Sequence, residues 1–245
     1  MQLKEGRWVY FVGVGCQVAG LKSYLQNVDT ERLITSDLVC HGVPSQKMFN
    51  WHIQYIENKE KGRLIEYAFR DYENWGVAER YKYIRNGVTH SKKHPSFLSP
   101  YLYSFMKGLT YRYSCYNCKF AKIPRQGDIT LADYWGVEQF FPDLDKSNGV
   151  SLILVNSNKG NEIWNNIKSQ VETRVSELSH ASAHNFNLTH STPMPAVREY
   201  CYKWIEERGF RDVARKWFRP QNYHKLIFKM TIKNFIQKIH RFIGG

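Results

Sequence analysis

Four cysteines set the chemistry open to this chain. Cys115 and Cys118 form a Cys-x-x-Cys pair within Ser114-Cys115-Tyr116-Asn117-Cys118-Lys119-Phe120. Two thiolates at that spacing grip one metal ion or one edge of a cluster, but they cannot complete a four-ligand shell. Two further thiols follow predicted strands and stand beside glycines: Cys16 in Gly13-Val14-Gly15-Cys16-Gln17 and Cys40 in Cys40-His41-Gly42-Val43-Pro44. Glycine admits positive φ and lets the backbone approach a bulky group, so a neighbouring cysteine can point into a crowded site. The candidate metal ligands are therefore Cys16, Cys40, Cys115 and Cys118. Cys201, between Tyr200 and Tyr202 in a helical pattern, reads as a buried apolar thiol.

Spacing leaves the occupant open. Structural zinc usually takes two close cysteine pairs, whereas here a single pair is joined by two isolated cysteines with 23 and 74 residues between successive members. A [4Fe-4S] cluster gives each iron one thiolate and tolerates dispersed ligands, yet no compact ferredoxin pattern is present. Cluster, zinc and no metal all stand at this point.

The elements that must position these thiols follow from periodicity. Trp8–Gly13 reads as a strand, Cys16–Leu25 as a glycine turn entering a short helix, and Leu33–Val39 as a second strand. Pro44-Ser45 opens a helix with Ser45 as N-cap and Met48, Trp51, His52, Tyr55 and Ile56 as its apolar stripe. This β-α-β-α rhythm favours an α/β layer with sites at strand ends. Strands are then expected at Leu64–Arg70 and Val77–Arg85, the second closed by the hairpin signal Asn86-Gly87 before Val88. A short aromatic helix after Pro100 leads to the Cys-x-x-Cys turn. Strands at Ile129–Tyr134 and Val150–Val155 and a helix at Gly160–Val171 come next. Residues 176–195 read as a long polar connection with solvated His180, His184 and His190, and helices at Pro195–Arg208 and Tyr223–Ile243 close the chain. The expected fold class is α/β (mixed α+β), a mixed sheet flanked by helices with a helical C-terminal appendage. The expected division is a core at 1–175 and a loop and helical region at 176–245.

Five cysteines in 245 residues is too few for a disulfide scaffold, and the count is odd, which favours reduced thiols and a cytoplasmic setting. No apolar run reaches the ~18–20 residues that span a bilayer. The N-terminal apolar stretch, short and broken by glycine, reads as a buried strand and not as a signal peptide. Of the net charge of +13, residues 211–245 supply most, with nine basic residues against Asp212 alone. There Phe228, Ile232, Phe235 or Ile236, Ile239, and Phe242 or Ile243 draw an apolar stripe, with Lys225, Lys229, Lys233 and Lys238 largely off it. Such a helix suits an anionic membrane surface, at the inner membrane face, or packing on the chain's own core. Nucleic acid is not expected, because no recognised module accompanies the charge.

At the cysteines the sequence also resembles a known family. Gly13-Val14-Gly15-Cys16-Gln17-Val18-Ala19-Gly20-Leu21, Cys40-His41-Gly42-Val43-Pro44, Ser114–Phe120 and Asp128-Ile129-Thr130-Leu131-Ala132-Asp133-Tyr134-Trp135-Gly136 together resemble the C-terminal part of the coenzyme F420 hydrogenase/dehydrogenase beta-subunit family. The resemblance implies an iron-sulfur flavoprotein oxidoreductase with a [4Fe-4S] cluster and FAD, passing electrons between a ferredoxin-like donor and a hydride acceptor it does not identify. It places the cluster ligands on Cys16, Cys40, Cys115 and Cys118. Family members usually carry Gly-Thr-Pro-Cys where this chain has Gly13-Val14-Gly15-Cys16, which removes a rigid proline before the first ligand. They also usually carry an N-terminal ferredoxin-like module. The expectation is therefore a fragment, or a chain supplied with electrons by a separate subunit. Versions of the domain are similar to proteins of surface polysaccharide synthesis, so F420 itself is not implied. The rival reading is a non-catalytic zinc or metal-free protein that binds a partner in such a system.

FAD diphosphate needs backbone N–H donors and positive charge, which glycine turns and an arginine supply. The candidates are Gly13, Gly15, Gln17, Gly42, Arg125, Gly127 and Gly136, without any Gly-x-Gly-x-x-Gly fingerprint. Arg125 has the alternative of an ordinary surface charge. Asp128 and Asp133 read as turn or capping residues, Trp135 as core, and His41 as a proton relay or a carbonyl partner. No catalytic residue is identified.

Overall fold

The computed structural model describes residues 2–70 and 78–243, with side chains left aside at 233, 234 and 237–243. In chain order the elements are β1 (Val9–Val14), α1 (Gly15–Tyr24), β2 (Leu33–Leu38), α2 (Gln46–Glu60), β3 (Arg63–Ala68), β4 (Ala78–Arg85) and β5 (Val88–Pro95). There follow α3 (Pro100–Met106), α4 (Tyr113–Tyr116), β6 (Ile129–Asp133), β7 (Ser151–Val155), α5 (Asn158–Ile167), α6 (Leu178–Ala183), α7 (Arg198–Arg208), α8 (Phe210–Trp217) and α9 (Tyr223–Ile243). The fold is mixed α/β with a mixed sheet, flanking helices and a helical C-terminal region. The chain folds as two units, one of residues 1–43 and 111–194, the other of residues 44–110 and 195–245.

The first unit is built on a four-stranded sheet ordered β1-β2-β6-β7. β1, β2 and β6 run parallel, and β7 joins β6 antiparallel. The register sets Gly13 beside Asp37 and Asp37 beside Thr130, so the C-terminal ends of the first two strands lie together. That is the end at which an open α/β sheet collects its functional groups. The core holds Tyr134, Val137, Leu152, Ala181 and Leu188. Asp128 joins three elements: its carboxylate accepts from Thr35 N (2.8 Å) and Thr35 Oγ1 (2.7 Å) on β2, and from Ser157 Oγ (2.7 Å), the N-cap of α5. Burial alone would raise its carboxyl, but the bonds from Ser157 and Thr35 outweigh burial and hold it below the usual aspartate range.

The second unit carries the antiparallel meander β3-β4-β5 with α2, α3, α7, α8 and α9. Ser45 caps α2 as expected, its Oγ accepting from Met48 N at 3.2 Å, and Met48, His52 and Ile56 fall on the buried face at helical spacing. β4 alternates strictly, burying Glu79, Tyr81 and Tyr83. Asn86 and Gly87 both have positive φ (52° and 76°), the pair of left-handed residues a type I′ hairpin needs. The expected strand start at Val77 lies outside the described residues. Glu79 is buried with His52 (3.2 Å), and the hydroxyls of Tyr67 and Ser99 also bond its Oε2.

Three expectations need correction. Residues 176–195 are not a bare connection: α6 and a 3-10 turn at Phe186–Leu188 lie within them. His180 is half-buried and stacks on Phe140 (4.1 Å between centroids), whereas His184 and His190 are exposed, as expected, with His190 stacked on the exposed Phe186 ring (4.9 Å). Short polar helices give little periodic signal, which is why composition alone read as loop. The second is α8, which the spacing did not show because it begins directly after α7 at Gly209. The third is Trp135, which is 39% exposed and not core.

Candidate functional site

The four candidate cysteines line one cavity of ≈50 Å3 in the first unit, with Val14, Gly15, Leu38, Gly42, Phe120 and Arg125 also in its walls. Each thiol arrives on a different local device. Cys16 sits in the first turn of α1, where Gln17 Oε1 accepts from Val14 N (3.0 Å) and fixes the entry to the helix. Cys40 leaves the end of β2, two residues past Leu38. Cys115 lies in the single turn α4, held by Cys115 N donating to Arg112 O (2.9 Å), and Cys118 follows it. Arg112 N in turn donates to Val43 O (2.9 Å), which ties the Cys-x-x-Cys turn to the Cys40 loop.

Gly42 is a position where nothing else fits. Its φ is +135°, and a Cβ there would stand 2.2 Å from the Tyr111 ring. Tyr111 is buried, its hydroxyl bonds His41 Nδ1, and its backbone N donates to Tyr116 Oη at 3.0 Å. Burial pushes the Tyr111 phenol up, assisted by Tyr116 and the thiols of Cys40 and Cys115. Burial likewise lowers His41 and raises Cys40. For Cys40 the backbone N–H of Gly42 works against the rise, and Cys115, Cys16 and Cys118 add to it. That mutual influence is the electrostatic trace of four thiols gathered around one space.

Arg125 is not a surface charge. Its side chain is 2% exposed, and Nη2 donates to Asp37 Oδ2 at 2.8 Å, with Asp37 fully buried. It also donates to Phe120 O (3.1 Å) and Leu38 O (3.2 Å), which holds the segment after Cys118 against the end of β2. Thr130 Oγ1 donates to the other Asp37 oxygen. The Nε–H of Arg125 is buried without an acceptor.

The remaining residues chosen for a flavin have other surroundings. Gly15 lines the cavity beside Phe120 and Asp37. Gly13 packs against Gln17, and Gly127 lies against the backbone of Asp37 and Ile129, where a Cβ would stand 2.5 Å from Asp37 N. Gly136 takes φ +75° beneath the His184 ring. Cys201 lies in the second unit, fully buried, its thiol pushed up to about 11 by burial, in line with its reading as an apolar thiol. Sequence reasoning missed Asp37 and Tyr111. The signal for Asp37 was a carboxylate inside an apolar strand, which has to find a buried partner.

A single zinc ion needs three or four donors at ~2.0–2.3 Å from one point. Among the described residues no three of His, Cys, Asp and Glu are so arranged. The four cysteines nonetheless line the one cavity.

The family profile that describes the C terminus of the coenzyme F420 hydrogenase/dehydrogenase beta subunit matches residues 6–181. No curated protein sequence matches the chain. Among solved structures it is similar to a chain of the F420-reducing [NiFe] hydrogenase complex from Methanosarcina barkeri, studied by xenon derivatization, with 15% identity and a TM-score of 0.38. The match covers 85% of this chain and 60% of that one.

Proposed function

The chain belongs to the family formed by the C-terminal part of coenzyme F420 hydrogenase/dehydrogenase beta subunits, and from that premise we propose that it is an oxidoreductase domain whose Cys16, Cys40, Cys115 and Cys118 hold a [4Fe-4S] cluster. The single observation that carries this reading is the convergence of the four thiols on one cavity. A cubane cluster takes one thiolate on each iron, and four separate cysteines around one cavity supply that number. The donor set fits in a second respect. Arg125 lines the cavity with a buried, unsatisfied Nε–H, and an anionic inorganic group there would supply its acceptor.

When bound, the cluster would carry single electrons. The protein's part is to hold and tune it. The cation of Arg125 stands beside the thiolates, but Asp37 neutralises it, so its contribution is chiefly to pin the chain after Cys118. Leu38, Val43, Phe120 and Ala121 keep the cavity apolar. Cys16 is exposed while Cys40 is half-buried, so electrons would enter or leave on the Cys16 side. The partner in this reading is a ferredoxin-like donor on a separate subunit or another part of the protein. All five cysteines are free thiols, which suits a reducing, cytoplasmic setting.

FAD enters this reading from the family alone. Gly15, Gly42 and Arg125 line a space of ≈50 Å3, far below the ~300–1,000 Å3 of small-molecule sites. Gly13, Gln17, Gly127 and Gly136 have local packing partners elsewhere. These residues do not fit a flavin.

α9 supports a second, peripheral-membrane element. Its sequence has no acid, and Phe228, Phe235, Ile236 and Ile232 are exposed, whereas the stripe's Ile239, Phe242 and Ile243 lie outside the described side chains. Among the described residues no helix is long and apolar enough to cross a membrane. An interfacial helix lies on the bilayer without spanning it.

Anaerobic reconstitution of the full chain with iron and sulfide tests the redox reading. The expected result is a brown protein that gives a paramagnetic signal on reduction. Stoichiometric zinc binding without such a signal would return the chain to its rival, a partner-binding protein.

A further inference from the structure

The second unit holds a cavity of ≈860 Å3, within the range of small-molecule sites. One wall is the face of α2 that presents Trp51, Gln54, Tyr55 and Asn58, at helical spacing. The other is the α7–α8 junction, where Gly209 (φ +81°) turns the chain and Phe210, Arg211 and Arg215 face inward from α8. The Tyr55 and Phe210 rings, both in its lining, pack against each other with centroids 5.5 Å apart.

Among the described residues Lys59, Arg211 and Arg215 reach the lining and no carboxylate does. All three are exposed. The two α2 acids beside the lining residues are engaged elsewhere, Glu57 Oε1 accepting from Leu64 N at 2.9 Å and Glu60 pairing with Lys92. Burial raises the Tyr55 phenol, and Arg215 and Arg211 act against that rise, so both charges are felt at the ring. Another large cavity, ≈790 Å3 in the first unit, has the opposite balance: Asp145, Glu172 and Glu177 against Arg174, itself paired with Glu172 at 3.0 Å.

No ion pair to these three cations is formed among the described residues, and like charges gathered in this way repel one another and attract an anion. Guanidinium groups match phosphate oxygens, aromatic faces stack on planar rings, and amides bond ring edges. We propose that this cavity binds a nucleotide, with its phosphates on Lys59, Arg211 and Arg215, its ring against Trp51 and Tyr55, and the amides of Gln54 and Asn58 at the ring edge. The site shares no residue with the thiol cavity, so it stands or falls apart from the redox reading.

Equilibrium dialysis of the full chain with ADP, adenosine and inorganic pyrophosphate as separate probes tests it. ADP should bind at least tenfold more tightly than either fragment, because each holds half of the chemistry. Arg211→Gln with Arg215→Gln should weaken ADP at least tenfold and leave adenosine unchanged. Lys59→Gln, on a different helix, should weaken ADP as well, and it keeps the test alive should the double variant fold poorly. Absence of saturable ADP binding at millimolar concentration would overturn the proposal. So would pyrophosphate binding as tightly as ADP, or unchanged ADP affinity in folded variants on both helices.

Discussion

Replacing Asp37 by asparagine removes the counter-charge of Arg125, which lines the thiol cavity, and almost no volume. Asparagine keeps an oxygen to accept from Thr130 Oγ1, but Arg125 is left with two backbone carbonyls and no counter-charge while its side chain stays 2% exposed. Removing one partner of a buried ion pair costs ~3–5 kcal/mol, because the other charge stays desolvated. The Asp37–Arg125 bond is 2.8 Å and Asp37 is fully buried, so neither solvent nor a neighbouring acid compensates. At ~2–4 °C per kcal/mol for a domain of this size, Asp37→Asn should lower the unfolding midpoint of the first unit by roughly 6–20 °C. Measured on metal-free protein at pH 7, a thermal scan followed by a probe in that unit reads the shift without any contribution from bound iron. The paired variant Asp37→Leu with Arg125→Met removes both charges and should recover most of the loss. A single-variant shift under ~2 °C would refute the placement of this pair as a buried tie between β2 and the segment after Cys118.

Gly42→Ala must place a methyl against the Tyr111 ring at φ +135°, and a denaturant titration should show a loss of ~2 kcal/mol or more from strain and overpacking together. Glu79 is held below the usual glutamate range: burial would raise it, but the bonds from His52, Ser99 and Tyr67 prevail. Its contribution is complete above the unfolded carboxylate pKa of ~4.3 and is lost as pH falls through the lower folded value. Stability of the second unit should therefore drop below about pH 4, and Glu79→Gln should flatten that drop while costing ~3 kcal/mol at pH 7. Alkylation kinetics should separate the thiols, Cys16 reacting first in the metal-free chain and Cys201 only on unfolding. Deleting 222–245 should reduce pelleting with anionic vesicles, and unchanged pelleting would remove the membrane reading of α9.

Local chemistry made part of this molecule legible in the sequence. Glycine turns after two apolar strands, together with a Cys-x-x-Cys turn, pointed to the four thiols that line one cavity, and Ser45, Asn86 and Gly87 marked their cap and turn because each solves a backbone problem within four residues. What the sequence did not disclose is non-local. Asp37 and Arg125 meet across 88 positions, and no periodicity announces that. Residues 44–110 fold with 195–245, a pairing that only packing decides. Glycines mark close approach without saying to what. At Gly127 the neighbour is the backbone of β2, and at Gly136 it is His184, where either could have been a cofactor. Two of the cations of the second cavity, Arg211 and Arg215, were visible as charge on the C-terminal segment, but their union with Lys59 and the aromatic face of α2 required the fold.

Iron and sulfide content after anaerobic reconstitution, measured across single cysteine-to-serine variants, tests the central claim most directly. With the native chain loading about four irons, serine at Cys16, Cys40, Cys115 or Cys118 should each lower iron content and weaken the cluster's visible absorption, while serine at Cys201 should leave both unchanged. Full iron loading in the Cys16 or Cys40 variant, or one zinc and no iron in the native chain, would contradict it.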